Sequence, residues 1–227
     1  HRWQLEASVP EEKFNEWVDE CLAKEKEITA SGLQRIGMDL KRQEMRINLS
    51  DPSIINGKYR VLYADPPWQY NDSGVITSND SYGRAERHYP TMSIDALCDL
   101  KIAEMSEDDA VLFLWVTSPL LEEAFQVIRA WGFEYKTSFV WDKIRHNFGH
   151  YNSVRHEFLL VCTKGNCTPD NLKLFDSVQA IERSAAHSEK PEEFRKIIDT
   201  LYNWGSKLEL FARKQIDGWE AWGNDVR

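Results

Sequence analysis

The hydrophobic rhythm of the chain changes near residue 50. Upstream, Phe14, Trp17, Val18, Cys21 and Leu22 recur at the three-and-four spacing of one apolar helical face. Ser8, three places before Glu11, fits a capping box, and Pro10 suits a first helical turn. A weaker pattern of Leu33, Ile36 and Leu40 follows Ser31 and runs into Lys41, Arg42 and Arg46. Residues 1–50 therefore read as a small N-terminal helical extension. It either packs on its own domain or a partner, or touches nucleic acid through its basic tail.

From 51 to 227 the texture is that of one α/β domain, in which short apolar runs alternate with helical patterns. Arg60–Ala64, Ala110–Val116, Thr137–Trp141, Glu157–Cys162 and Lys207–Ala212 are predicted strands. The unbroken apolar run Ala110–Val116 indicates a strand covered on both faces. Pro119–Trp131 and Pro191–Trp204 are predicted helices, each stopped by a glycine. This alternation predicts a mainly parallel sheet with helices on both faces. In such sheets ligands sit outside the carboxyl ends of strands. Chemistry is therefore to be sought after Ala64, after Trp141 and after Ala212.

The first strand ends in Asp65-Pro66-Pro67-Trp68. An exocyclic amine on a nucleobase is a poor nucleophile because its lone pair is delocalised into the ring. Two acceptors gripping its two N–H groups favour the more tetrahedral, nucleophilic nitrogen. Asp65 supplies a charged acceptor, and the Pro66 carbonyl supplies a second on a backbone stiffened by two prolines with no N–H of their own. Trp68 offers a flat face on which an extruded base can stack, typically worth ~1–3 kcal/mol. This is catalysis by positioning and charge, without a metal.

Here the sequence resembles the DPPW-type N6-adenine methyltransferases. That family includes the catalytic subunit of the mRNA adenosine methyltransferase together with bacterial and phage DNA-adenine enzymes. Tyr89-Pro90-Thr91-Met92-Ser93, Leu112-Phe113-Leu114-Trp115-Val116-Thr117, Lys164-Gly165-Asn166 and His187-Ser188-Glu189-Lys190-Pro191-Glu192 are similar to successive family segments. So are Leu208-Glu209-Leu210-Phe211-Ala212-Arg213 and Gly218-Trp219-Glu220-Ala221-Trp222-Gly223-Asn224. The resemblance spans residues 57–227 in order. It implies a Rossmann-like domain that binds S-adenosylmethionine, with the catalytic motif first and cofactor elements near the C-terminus.

By resemblance, Asp65, Lys190, Glu209, Arg213, Asn224 and Asp225 are candidate cofactor residues, with Lys190 meeting the cofactor carboxylate. A lysine beside Pro191 at a helix start suits an anion independently. Gln215 stands where the mRNA enzyme has His, and Asp225 where it has Gln. No G-x-G-x-x-G occurs, so nicotinamide and flavin binding have no support. The stretch 70–88, with Gly74, Gly83, Arg84, Arg87 and His88, reads as a gate over the target base, and Tyr89 as either a base-pocket or a core residue.

Charge sharpens the choice of substrate. The 227 residues carry a net charge of −9, unlike a generic polyanion binder. Yet 136–156 holds Lys136, Lys143, Arg145 and Arg155 against Asp142 alone, interleaved with His146, Phe148, His150, Tyr151 and His156. Read as a loop after a strand, it would hold a nucleic-acid backbone, with Lys143 and Arg145 central and Arg84 and Arg87 opposite. The other reading is a subunit interface. So small a basic footprint favours a homodimer or heterodimer.

Cys21, Cys98, Cys162 and Cys167 form no C-x-x-C pair, and the histidines are not spaced as a metal set. Without an apolar signal core or a run of about 18 apolar residues, a cytoplasmic protein with reduced thiols and no membrane span is expected. Methyl transfer to adenine N6, in DNA rather than RNA, is the leading reading. A non-catalytic nucleic-acid-binding subunit and an N4-cytosine methyltransferase are the alternatives.

Overall fold

In a computed structural model of the chain, residues 7–37, 40, 57–70, 91–148, 151–183 and 189–223 are described, 146–148 by backbone only. They fall into two compact units, divided near residue 50.

The first unit carries helix α1, Glu11–Ala23. Pro10 rather than Ser8 occupies its N-cap position. A proline preset near φ −60° starts the helix without a side-chain acceptor. Cys21 is buried as the apolar stripe predicts, whereas Leu22 at its margin is 66% exposed. Residues 30–37 are also helical, and Thr29 Oγ1 accepts from Gly32 N at 3.1 Å.

The second unit is a seven-stranded sheet in the order β5-β3-β4-β2-β1-β6-β7. Its strands are β1 Tyr59–Ala64, β2 Ser106–Val116, β3 Glu134–Phe148, β4 Ser153–Lys164, β5 Val178–Ala180, β6 Lys207–Leu210 and β7 Glu220–Trp222. Helices α2 (Ile94–Cys98), α3 (Ile102–Met105) and α4 (Leu121–Ala130) connect β1 to β2 and β2 to β3, and α5 (Glu192–Leu201) precedes β6. The mainly parallel expectation holds, with β4 the one reversed strand of the seven described. β1, β2, β6 and β7 are mutually parallel, but β4 runs antiparallel to both β2 and β3. A short reversal after β3 leaves no room for a crossover helix, so β3 and β4 form a hairpin.

Odd-numbered strand residues Val61, Tyr63, Val111, Phe113, Trp115, Leu159 and Val161 form one core cluster with Phe194 and Ile198 of α5. Leu62, Ala64, Leu112 and Leu114 alternate with them and are 0% exposed, so the opposite face is covered too. On that side Trp131, just after α4, donates its Nε1–H to Leu97 O of α2 at 2.7 Å.

Two predicted boundaries contract. The last long strand stops at Leu210 because Phe211 adopts φ +62°, outside the extended region. The helix before it ends at Leu201, and Trp204 lies beyond it. Among the described residues no helix is long and apolar enough to cross a membrane.

Candidate active site

Parallel pairing brings the carboxyl ends of β1, β2 and β6 to one edge, with Ala64 in register with Leu114 on one side and Leu210 on the other. Because β4 is antiparallel, it delivers its beginning to that same edge, Val116 facing Phe158. The four segments that meet there carry Asp65, Thr117, Arg213 and Glu157. Strand order alone gathers them.

The DPPW turn is built from its own backbone and from Met92. Trp68 N donates to Pro66 O at 2.8 Å, a tight three-residue turn. Met92 N donates to Pro67 O at 2.7 Å, and Gln69 N to Met92 O at 3.1 Å. Ser93 then caps α2, its Oγ accepting from Ala96 N at 3.2 Å. The Thr91-Met92-Ser93 segment thus has a structural role, clamping the motif and starting the next helix. The prolines have no N–H to offer Pro66 O, but Trp68 N takes one of its lone pairs and leaves the other.

Asp65 is a quarter exposed and is gripped by Lys190, whose Nζ donates to Oδ1 at 2.8 Å and Oδ2 at 2.7 Å. The same ammonium lies 3.4 Å from Glu157 Oε2, and Glu157 Oε1 accepts from Lys143. The result is an alternating chain of charges, Asp65–Lys190–Glu157–Lys143. Burial alone would lower the Lys190 pKa, but the negative charges of Asp65 and Glu157 outweigh it and hold the ammonium above its usual value, with Arg213 opposing. Burial likewise pushes Glu157 up, while Lys190 and Lys143 pull it below the ordinary carboxylate value.

Trp115 supports this chain from beneath. Its ring lies 5.4 Å from Lys190 Nζ, its Nε1–H donates to Tyr63 Oη at 2.8 Å, and its carbonyl accepts from Trp68 Nε1 at 2.9 Å. That last bond fixes the Trp68 indole. With 5% of its surface exposed, the indole is part of the core and anchors the turn. Tyr70, two residues on, instead reaches back to β2, its hydroxyl 2.7 Å from Thr117 Oγ1.

The basic segment is corrected. It is the β3–β4 hairpin rather than a loop, and acids absent from 136–156 or paired across the ladder neutralise it. Lys136 pairs with Glu134 at 2.9 Å, Arg145 with Glu182 at 2.6 Å and Arg155 with Asp142 at 2.6 Å. Lys143 is 12% exposed and committed to Glu157, so it presents no free charge to a phosphate. His156 shares a hydrogen bond with Ser118 at 3.0 Å.

Glu209 faces Arg195 at 2.8 Å, a buried ion pair whose facing atoms lack hydrogen-bond alignment. The Arg195 guanidinium is flanked by Tyr63 at 5.2 Å and Trp219 at 5.3 Å. Sequence reasoning passed over Arg195 and Glu157. Their signals were weak: a charge beside the apolar stripe of a helix, and an acid at the head of a buried strand. Arg84, Tyr89, Asn224 and Asp225, with the 71–88 gate, lie outside the described residues.

A carboxylate and an ammonium side by side, with a second cation in electrostatic range, suit a ligand with a zwitterionic amino-acid end and a positive sulfur. S-adenosylmethionine has that charge pattern, and the donor set fits it. The Gly223 backbone lies so close to the end of β6 that a Cβ there would sit 2.0 Å from Ala212 O, keeping β7 tight against that segment.

Comparison with known proteins agrees. The MT-A70 family model matches residues 59–225. The type II methyltransferase M.MunI of Mycoplasma sp is 37% identical over 189 residues, covering 77% of this chain and 81% of that protein. The human N(6)-adenosine-methyltransferase catalytic subunit METTL3 is 31% identical over 191 residues, 79% of this chain but 30% of its own length. The N(6)-adenosine-methyltransferase MT-A70-like protein of Drosophila melanogaster is 32% identical over 181 residues, 75% of this chain and 27% of its length. The chain thus spans under a third of the two adenosine enzymes.

Proposed function

The chain belongs to the MT-A70 family of S-adenosylmethionine-dependent methyltransferases, and from that membership we propose that it methylates the N6 amine of adenine in DNA. The observation that carries this reading is Asp65 at the carboxyl end of β1, held through both carboxylate oxygens by Lys190. DNA is favoured over RNA because the type II methyltransferase is the more similar in sequence, at 37% identity against 31% for the human adenosine enzyme.

Held by Lys190 and Arg213, S-adenosylmethionine would supply an electrophilic methyl carbon to N6 and leave as the neutral thioether. Asp65 accepts one amine N–H, and the remaining lone pair of Pro66 O accepts the other, turning the nitrogen lone pair out of ring conjugation. N6 must shed one proton, and Asp65 is the anionic acceptor beside it. Lys190 orients that carboxylate through both of its oxygens, and meets the cofactor carboxylate. Arg213, Asn224 and Asp225 are assigned to the ribose and adenine end, and Arg84, Tyr89 and Arg145 to the nucleic acid. Glu209 acts on the cofactor side only through Arg195. A dimer is the proposed working form, which light scattering with and without DNA checks.

Methyl-labelled cofactor, offered with single- and double-stranded DNA and RNA separately, tests the assignment. Label is expected in adenine of DNA, falling about 10²–10³-fold in Asp65→Asn, the loss typical of a preorganised polar group. Label confined to RNA removes the DNA preference, label in cytosine removes the base, and an active Asp65→Asn removes the site.

A further inference from the structure

Resting on the reading above, we propose that Tyr70, not Trp68, is the aromatic wall that stacks on the target base. Trp68 is unavailable for stacking because its indole is buried and its one donor is bound to the Trp115 carbonyl. The chain leaves the end of β1 at Asp65, turns through the prolines, and runs outward through Trp68 and Gln69 to Tyr70. Met92 holds that outward run by backbone pairing on both sides of Trp68.

The Tyr70 side chain then doubles back, its hydroxyl meeting Thr117 Oγ1 at 2.7 Å. Thr117 directly follows β2, whose Leu114 is the register partner of Ala64. A phenol tethered at its tip to Thr117, just past β2, and at its Cα to the motif must therefore lie across the edge where Asp65 emerges. Burial raises its pKa, and the charges of Glu157, Lys190 and Asp65 all reach its hydroxyl, which puts the phenol within range of the charged chain.

The chemistry suits the role. A ring fixed at both ends loses little rotamer freedom when a base arrives. A phenol face stacks on any base, so it adds affinity and position, while Asp65 and Pro66 read the amine. The hydroxyl is spent on Thr117, so stacking needs the ring and not the oxygen. This separates ring from hydroxyl and makes the role testable.

The test measures methyl transfer to unmethylated plasmid DNA over a range of DNA concentrations, with cofactor affinity followed separately by calorimetry. Tyr70→Leu, which keeps bulk but removes the π face, is expected to raise KM for DNA about tenfold or more, as a lost stack does. Cofactor Kd should stay within about twofold, since stacking belongs to the base alone. Tyr70→Phe should keep a KM within about threefold of the parent, because only the tether to Thr117 is lost. A Tyr70→Leu enzyme with unchanged KM overturns the proposal, as does one whose cofactor affinity falls in parallel. If Asp65→Asn is inert in the same assay while Tyr70→Leu is unaffected, this inference fails alone. A parent protein that labels no adenine takes the functional reading down with it.

Discussion

Glu157 neutralises two lysines at once, and Glu157→Gln should expose what that is worth. Its side chain is 15% exposed, and both Lys143 and Lys190 depend on it. Breaking a buried pair from one side typically costs ~3–5 kcal/mol, because the partner charge is left without compensation. The folded pKa of Glu157 lies below the ordinary 4.5, so its contribution is present above that value and is lost as pH falls through the lower folded one. Urea unfolding of parent and variant should therefore differ most near neutral pH and converge as pH falls through that lower folded value. A difference that persists undiminished in acid would contradict an electrostatic role. Little of this was legible in the sequence. Asp65 announced itself by the prolines beside it, whereas Glu157 acquires its importance only when an antiparallel strand sets it opposite Lys190.

Among the elements, the turn after β4 shows how a short motif can be structural. Gly165 sits at φ +59°, and a Cβ there would stand 2.3 Å from Asp108 O. Beside it Asn166 N donates to Asp109 Oδ1 at 2.6 Å, so the Lys164-Gly165-Asn166 turn packs directly on the start of β2. Gly165→Ala combines a left-handed backbone cost of ~1–2 kcal/mol with a clash against backbone. A loss of about 2 kcal/mol or more, read as a fall in Tm of about 4–8 °C by calorimetry, is expected. A variant melting with the parent would mean the turn relaxes freely. The strands and helices themselves were largely readable, since apolar runs and helical stripes report which faces are covered. β5 and β7 were not: three residues each are too few to show a period.

On the scale of the whole molecule, a net charge of −9 makes each unpaired cation count. Arg145 is 77% exposed and its partner Glu182 54%, a surface pair that exchanges readily for a phosphate. Lys143 is locked to Glu157 beneath the hairpin. Titrating DNA binding against salt should therefore separate them. Arg145→Ala is expected to flatten the slope of log K on log salt by about 0.9, one phosphate contact, and Lys143→Ala to leave it unchanged. Equal effects from both would return the hairpin to the simple basic patch that composition suggested.

What the sequence determined by itself was local. It set which runs are covered on both faces, where helices start and stop, and that a carboxylate followed by two prolines ends a strand at the edge where α/β sheets bind ligands. Each of these is decided by neighbours a few residues away, through steric limits on the backbone and the period of apolar burial. The tertiary structure decided who meets whom. Lys190 comes to Asp65 across 125 positions of chain, Arg145 finds its acid just past β5 and Arg155 finds its own across the ladder, and the Trp68 indole is turned inward by the carbonyl of Trp115. Charge pairing and side-chain direction depend on strand order and register, which arise only when the sheet closes around its core.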